Sequence, residues 1–592
     1  LLAIIKLVTN IAFYGTVSTD FVSPAGNHLG LWVIGIPVIG GIIVGIMARY
    51  GSQAIRGHGI PEAMEQVLFN QSRIPPRLTF LKPLSAAFAI GTGGPFGAEG
   101  PIIATGGALG SLVGQVVKTT AVERKTLLAA GAAAGMAATF GCPVAAVLLA
   151  IELLLFEYRA RSVIPVALAS ATATAVRMAF VGSAPMFPMV DLVSPSGLAM
   201  AGYIVLGAFL GIASVGVTKG VYWVEDTFEK LPIHWMWWPA IGAVFVGVVG
   251  YFAPRTLGVG YDIIEQLVQG ELGWKVIAVL AVMKLISWTF SLGSGTSGGT
   301  LAPLFIIGGG FGATLGYFGT VAFPGMGLDI RLAALVGMAA MFAGASRALL
   351  ASVVFAFEVT MQPIGLLPLL AGCSASFMVS ALFMRNSIMT EKIARRGIKV
   401  ASEYSVDYLD QVLVGAVASR PPVTLDASQD VGSARMFFRG LEHYHQGFPV
   451  VDKNGKLIGL VMRREIMDPT LSDVDLRVSD LIWRPPVVAY EENTLREAAD
   501  LMVSERVGRL PVVARANPRK VVGIITRSDL LDAHLKRIQG VTKAEQQLSL
   551  PVPDVLKLHE RAENSLKEAL RRADRGRRAR RESRGHGPRS DH

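Results

Sequence analysis

The apolar part of this chain is written twice, and that repetition limits its fold more than any other feature. Residues 91–107 read Gly-Thr-Gly-Gly-Pro-Phe-Gly-Ala-Glu-Gly-Pro-Ile-Ile-Ala-Thr-Gly-Gly, and residues 293–309 read Gly-Ser-Gly-Thr-Ser-Gly-Gly-Thr-Leu-Ala-Pro-Leu-Phe-Ile-Ile-Gly-Gly. The offset is 202 residues, the distance from Pro101 to Pro303, and it also carries Gly135-Met-Ala-Ala-Thr-Phe140 onto Gly337-Met-Ala-Ala-Met-Phe342. Each copy breaks an apolar stretch with glycine and proline. At membrane depth such a break is tolerated only where the freed backbone faces protein or water. Corresponding breaks in two halves of a repeat point to a site near the midplane. The residues alone leave open whether the second copy is inverted.

Composition supports a membrane setting. Of 592 residues, 52% are hydrophobic and 17% charged, against about 25% charged in an average soluble chain. Apolar runs follow one another from residue 1 to about 384, several near the roughly 20 residues that span a bilayer. The clearest are Leu31 to Met47, Leu198 to Val217, Trp235 to Phe252, Val276 to Leu292, Leu332 to Val359 and Pro363 to Met384. Cys142 and Cys373 lie in separate apolar runs without metal-site or disulfide spacing, and read as packing residues. The net charge of +11 sits largely at membrane edges and at the end of the chain, where anionic lipid headgroups account for it without nucleic acid.

Glu99 is a lone carboxylate in the first glycine-rich break, and its repeat partner is Leu301. Two broken helices that aim their N-termini at one point favour an anion there, by about 0.3–1 kcal/mol per dipole and up to about 2 when partly buried. A carboxylate at that point imitates the anion. When ionised it blocks the site, and when protonated it leaves. Upstream, Gly57-His58-Gly59-Ile60-Pro61-Glu62 reads as a loop opening a helix, with proline in the first turn and free N–H groups suited to an anion.

Gly-His-Gly-Ile-Pro at 57–61, Gly-Ala-Glu-Gly-Pro at 97–101 and Gly-Thr-Leu-Ala-Pro at 299–303 resemble the three anion-pathway motifs of the CLC family of chloride channels and proton-coupled chloride exchangers. The resemblance covers the membrane half. It implies an α-helical polytopic fold of inverted repeats and a homodimer with one pore per subunit. Glu99 then corresponds to the gating glutamate, and the backbone amides of Gly59, Ile60, Thr300 and Leu301 belong to the anion sites.

Departures from the family pattern are informative. His58 replaces the usual serine, offering an imidazole that donates a hydrogen bond or carries charge near pH 6.5. Leu301 replaces a phenylalanine, and Met389 aligns with the tyrosine that closes the inner side of the central site. Glu152 aligns with the first of a typical glutamate pair and Leu153 with the family's inner proton relay, which a leucine cannot perform. Glu157, four residues on, reads as an interfacial charge beside Arg159 and Arg161; Glu152 and Glu358 read as structural. The expectation is a chloride channel gated by Glu99, with a chloride/proton exchanger using Glu99 as external proton acceptor as the alternative. An enzyme using Glu99 and His58 as base and acid lacks a metal cluster or nucleophile beside them.

From Arg385 the composition changes, and the basic margin Arg385, Lys392, Arg395, Arg396 and Lys399 places this end in the cytoplasm by the positive-inside rule. A second repeat follows at an offset of 64 residues, the distance from Gly459 to Gly523 and from Arg420-Pro-Pro-Val423 to Arg484-Pro-Pro-Val487. Each unit reads as strand, amphipathic helix (Val431 to Glu442, Thr494 to Glu505), two apolar strands and a helix, a small α/β module. The order, with Phe-Pro-Val-Val and Leu-Pro-Val-Val strands, resembles a tandem CBS pair. That resemblance implies an adenine-nucleotide site (ATP, ADP or AMP, none of them required) at Thr526 and Asp529; the first unit has Met462-Arg-Arg-Glu465 instead. The expected organisation is a transmembrane domain at 1–399, a CBS pair at 400–545 with units near 414–470 and 479–540, and a charged tail at 546–592. The setting implied is a plasma or inner membrane, with chloride or another small anion, protons and membrane lipids as partners.

Overall fold

The computed structural model describes residues 1–189, 192–395, 409, 412–440, 446–469 and 476–535 and divides into two units, Leu1–Tyr404 and Ser405–His592. The expected charged tail at 546–592 lies outside the described residues, as do Arg396 and Lys399.

In the first unit the sequence repeat becomes a repeat of helices. One set runs α1 (Leu2–Tyr14), α2 (Gly35–Ile46), α3 (Ile60–Phe69), α4 (Leu78–Gly91), α5 (Glu99–Val116), α6 (Ala121–Phe140), α7 (Pro143–Ala150) and α8 (Ala160–Val181). The other runs α9 (Gly197–Glu229), α10 (Trp238–Phe252), α11 (Tyr261–Gln269), α12 (Trp274–Gly293), α13 (Leu301–Ala322), α14 (Ile330–Ser346), α15 (Leu349–Thr360) and α16 (Leu366–Phe383). A short α17 (Glu391–Arg395) is the last helix among the described residues of the unit. Among the described residues seven helices are long and apolar enough to cross a bilayer, including Ala160–Val181 and Leu301–Ala322, which are not among the six runs picked from sequence.

Matching glycines let matching helices touch. A Cβ on Gly106 of α5 would lie 2.2 Å from the Gly131 carbonyl of α6, and one on Gly308 of α13 would lie 2.5 Å from the Gly337 carbonyl of α14. The run expected as one span from Leu332 to Val359 is instead α14 and α15. Arg347 turns left-handed at φ 66° between them, and its guanidinium donates to the Ser380 and Met384 carbonyls at 3.0 and 2.6 Å.

Glu152 and Glu358 show how the halves face each other. Glu152, just past α7, accepts from the N–H groups of Leu350 and Ala351 at 3.0 Å each, in the first turn of α15. Glu358, near the end of α15, accepts from Val144 and Ala145 at 3.0 and 2.8 Å, in the first turn of α7. Each carboxylate satisfies otherwise orphaned donors at the positive end of the other helix. The C-terminus of each helix therefore adjoins the N-terminus of its repeat mate, so equivalent helices lie antiparallel and the repeats run in opposite senses.

Among the described residues the second unit holds two three-stranded sheets of identical topology. Strands β1 (Leu425–Asp426), β2 (Gly447–Val451) and β3 (Leu457–Met462) pair parallel and then antiparallel, as do β4 (Ala489–Tyr490), β5 (Arg509–Ala514) and β6 (Asn517–Thr526). Val450 pairs with Gly459 in one sheet and Val512 with Gly523 in the other. The helices Val431–Gly440 and Leu495–Ser504 pack beside them; the second is opened by a Thr494–Glu497 capping box.

Candidate functional site

The three glycine motifs meet. The Gly97 N–H donates to the Gly299 carbonyl at 3.3 Å, and the Gly299 N–H returns to the Gly97 carbonyl at 2.8 Å. Gly57 joins the same strip: its N–H donates to the Thr296 carbonyl at 3.3 Å, and its carbonyl accepts from the Gly298 N–H at 3.4 Å. Close approach forces glycine at Gly100, where a Cβ would lie 2.0 Å from the His58 carbonyl oxygen. Helices α3, α5 and α13 all begin at this junction, with Ile60, Glu99 and Leu301 as their first residues.

Glu99 is 1% exposed. Its Oε1 accepts from the Tyr261 hydroxyl at 2.9 Å, while Oε2 occupies the space a Gly97 side chain would need, 1.7 Å from the ideal Cβ position. The N–H of Ala302, in the first turn of α13, lies nearby. Among the described residues, one buried side-chain atom of each motif makes no hydrogen bond of ordinary length: His58 Nδ1, Glu99 Oε2 and Thr300 Oγ1. A buried polar group left unpaired costs about 1–3 kcal/mol, so one in each of the three motifs calls for a partner. A hydroxyl, an imidazole N–H and helix N-termini suit a small anion, and the carboxylate suits the role of its substitute.

Ile60, Thr300 and Leu301 are buried at the junction. Gly59 is a correction. Its N–H donates to the Glu62 carboxylate at 2.6 Å, so that amide is consumed in capping α3 and is not offered to an anion. Met389 is fully buried in the turn before α17, its N–H on Ser387 Oγ at 3.2 Å and the preceding Ile388 carbonyl held by the Tyr222 hydroxyl at 2.8 Å. From α17, Lys392 reaches Glu62 at 2.9 Å and ties this turn to α3.

Leu153 is buried. Glu157 accepts from Ser162 Oγ at 2.8 Å and has Lys125 and Arg159 each 3.9 Å away.

Sequence reasoning missed two lysines and a tyrosine. Lys82 in α4 and Lys284 in α12 stand at the same 202-residue offset, and that signal could have found them. Each is buried beneath a glycine loop. Lys82 Nζ donates to the Ile55 and Gly57 carbonyls at 2.8 and 2.9 Å, and Lys284 Nζ to the Thr256 and Gly258 carbonyls at 2.9 and 2.7 Å. Tyr261 opens α11 as Ile60 opens α3.

In the second unit, Thr526 and Asp529 are in contact: the Asp529 carboxylate accepts from the Thr526 N–H at 2.7 Å and from its hydroxyl at 2.8 Å. Both line a cleft of about 480 Å³ with Ser419, Arg420, Phe448 and Arg509. Burial, with Arg464 and Arg527 nearby, pushes the Arg509 guanidinium down from its ordinary value, and its Nε and one Nη have no partner among the described residues. Beside the β1–β3 sheet of the same unit, the Glu465 carboxylate accepts from the Met462 N–H at 2.8 Å in the equivalent turn.

Comparison with known proteins agrees with this geometry. The sequence pattern of the family described as Voltage gated chloride channel matches residues 39–381, and that of the CBS domain matches 414–469 and 478–536. The chain is 28% identical over 385 residues to the H(+)/Cl(-) exchange transporter ClcA of Vibrio campbellii, covering 63% of this chain and 82% of that one. It is 31% identical over 376 residues to chloride channel protein CLC-f of Arabidopsis thaliana, covering 59% and 47%. The crystal structure of a slow cyanobacterial Cl-/H+ antiporter superposes with a TM-score of 0.57 at 22% identity, covering 62% of this chain and 87% of that one. That of a eukaryotic CLC transporter superposes with a TM-score of 0.53 at 23% identity, covering 84% and 89%. The three motifs, the antiparallel repeats and a match over more than half the sequence lead to one conclusion: this chain is a multi-pass membrane protein that belongs to the voltage gated chloride channel family and carries a tandem pair of CBS domains.

Proposed function

We propose that the protein moves chloride across the membrane in exchange for protons, with Glu99 serving both ions. The observation that carries this reading is the single carboxylate at the junction of all three anion motifs, buried and held by the Tyr261 hydroxyl. Ionised, it takes the place of an anion; protonated, it carries a proton away from that place. Relatives named as H(+)/Cl(-) exchange transporters support exchange over the channel expected from sequence. That expectation rested on Leu153, whose apolar, buried side chain still favours uncoupled conduction as a second reading. The test is reconstitution in liposomes with chloride and pH recorded together. Exchange drives protons uphill when chloride runs down its gradient; chloride flux with no uphill proton movement returns the channel.

The site takes chloride or a similarly small anion through His58 Nδ1, Thr300 Oγ1 and the N-termini of α3, α5 and α13, with Met389 closing the inner side. Two copies associate, each with its own pathway, and the CBS pair faces the cytoplasm of a plasma or inner membrane. At the CBS pair, Thr526, Asp529 and the unpartnered Arg509 donors form an adenine-nucleotide cleft: the guanidinium faces phosphate and the second Asp529 oxygen faces a ribose hydroxyl. With the full chain in detergent, titration calorimetry with ATP or AMP gives a saturable heat that Asp529→Ala weakens at least about tenfold, the loss of one hydrogen bond to a charged group. Equal affinity in the two proteins removes Asp529 from the site.

A further inference from the structure

The carboxylate at the junction does not stand alone in the first repeat: a tyrosine of the second repeat reaches across to it, and everything around that tyrosine fixes where its hydroxyl points. The loop before α11 turns through Gly258 at φ 70° and Gly260 at φ 82°. Lys284 Nζ, from α12 beneath, draws in the carbonyls of Thr256, Gly258 and Val259 at 2.9, 2.7 and 3.5 Å. Three carbonyls on one ammonium leave the loop little freedom, and Tyr261 follows as the first residue of α11. Its ring meets Phe140 of α6 edge-on at 5.9 Å between centroids and Phe187 at 6.2 Å. Phe187 is itself anchored, its N–H on the Val359 carbonyl at 2.9 Å. The ring is thus held by Phe140 and Phe187 and its helix start by a second-repeat lysine, which directs the hydroxyl to Glu99 Oε1 at 2.9 Å.

We infer that Tyr261 is a positioning residue, a latch that holds the Glu99 carboxylate in its seat between Gly97 and Gly299 and so sets how acidic the medium must be before the gate opens. This rests on the reading of Glu99 as the gate. A phenol that donates to a carboxylate favours the ionised form over the protonated one. Among the described residues, the charged and titratable groups facing Glu99 are Tyr261 on α11 and Lys284 on α12; Asp262, beside Tyr261, faces Lys284 in turn and accepts from Ser23 Oγ at 3.2 Å. Tyr261→Phe leaves all of these but the hydroxyl. The carboxylate then loses its one side-chain donor and departs from its seat at lower proton concentration.

The test is chloride flux against pH in liposomes for four forms of the full chain: wild type, Tyr261→Phe, Glu99→Gln and the double variant. The latch predicts that Tyr261→Phe moves the midpoint of the flux curve up by about one pH unit, as expected for one hydrogen bond to an ionised group. It also predicts that the double variant matches Glu99→Gln. If Glu99→Gln is flat while Tyr261→Phe keeps the wild-type midpoint, the latch is wrong and the gate stands. If Glu99→Gln still follows pH, the gate reading fails and the latch with it. A double variant that differs from Glu99→Gln in flux also overturns the latch, because the hydroxyl would then act on something other than Glu99. Should the phenylalanine form not reconstitute, Tyr261→Met removes the same hydroxyl on a more adaptable side chain and carries the same two expectations.

Discussion

Glu99→Gln conducts chloride at a rate that stays level from about pH 4 to about pH 8 and moves no protons with it. In the wild type, the fraction of gates carrying a proton falls about tenfold for each pH unit above the midpoint, and flux falls with it. Glutamine keeps the shape of the side chain but cannot ionise. It has no charge with which to imitate the anion and no proton to deliver, so flux stays at the acid level of the wild type while coupling vanishes. The measurement is a paired chloride and pH electrode recording on proteoliposomes. A variant that still loses flux as pH rises would place the titrating gate elsewhere, and one that still drives protons uphill would take proton exchange away from Glu99.

Gly97→Ala and Gly100→Ala, three residues apart, have opposite consequences. An alanine methyl at Gly97 would lie 1.7 Å from Glu99 Oε2 and 2.6 Å from its Cδ, the far end of a side chain that can swing. The fold survives and the carboxylate is expelled, so flux at neutral pH rises and its pH dependence shrinks towards that of Glu99→Gln. At Gly100 the methyl would lie 2.0 Å from the His58 carbonyl oxygen and 3.1 Å from the Gly299 Cα. These are backbone atoms of the two other motifs, and neither can rotate away. Overpacking of this kind costs about 1–3 kcal/mol and occasionally more. Gly100→Ala therefore lowers the thermal unfolding midpoint in detergent and gives little transport-competent protein. A Gly100→Ala form as stable as wild type, or a Gly97→Ala form with unaltered pH dependence, would contradict the packing described at the junction.

The sequence made the junction legible because repetition is a strong signal. One offset aligned Glu99 with Leu301, and both begin helices whose preceding glycines pair across the repeats. The same offset joined Lys82 to Lys284, yet a lysine in an apolar helix is easily taken for a charge at a membrane edge. Only the structure shows the Nζ atoms gathering carbonyls under the loops. Tyr261 was hidden for another reason. Its bond to Glu99 joins residues 162 positions apart, and neither propensity nor periodicity reports on contacts at that separation. Gly59 shows the reverse error. The motif suggested a free amide, but Glu62 three residues later completes a cap within the same turn, a pairing of N-cap and third helical residue that is readable from sequence. The span drawn from Leu332 to Val359 failed because its hydrophobicity is continuous, whereas the backbone turns at Arg347.

The exchange of caps between Glu152 and Glu358 has an evolutionary consequence. Neither repeat can close its own α7 or α15 equivalent, because the carboxylate that does so comes from the other half. A half-length ancestor would have left these helix ends bare unless a second copy lay beside it upside down in the bilayer. Such a protein needs a gene whose product inserts in both orientations, and duplication followed by fusion would then have fixed one orientation for each half.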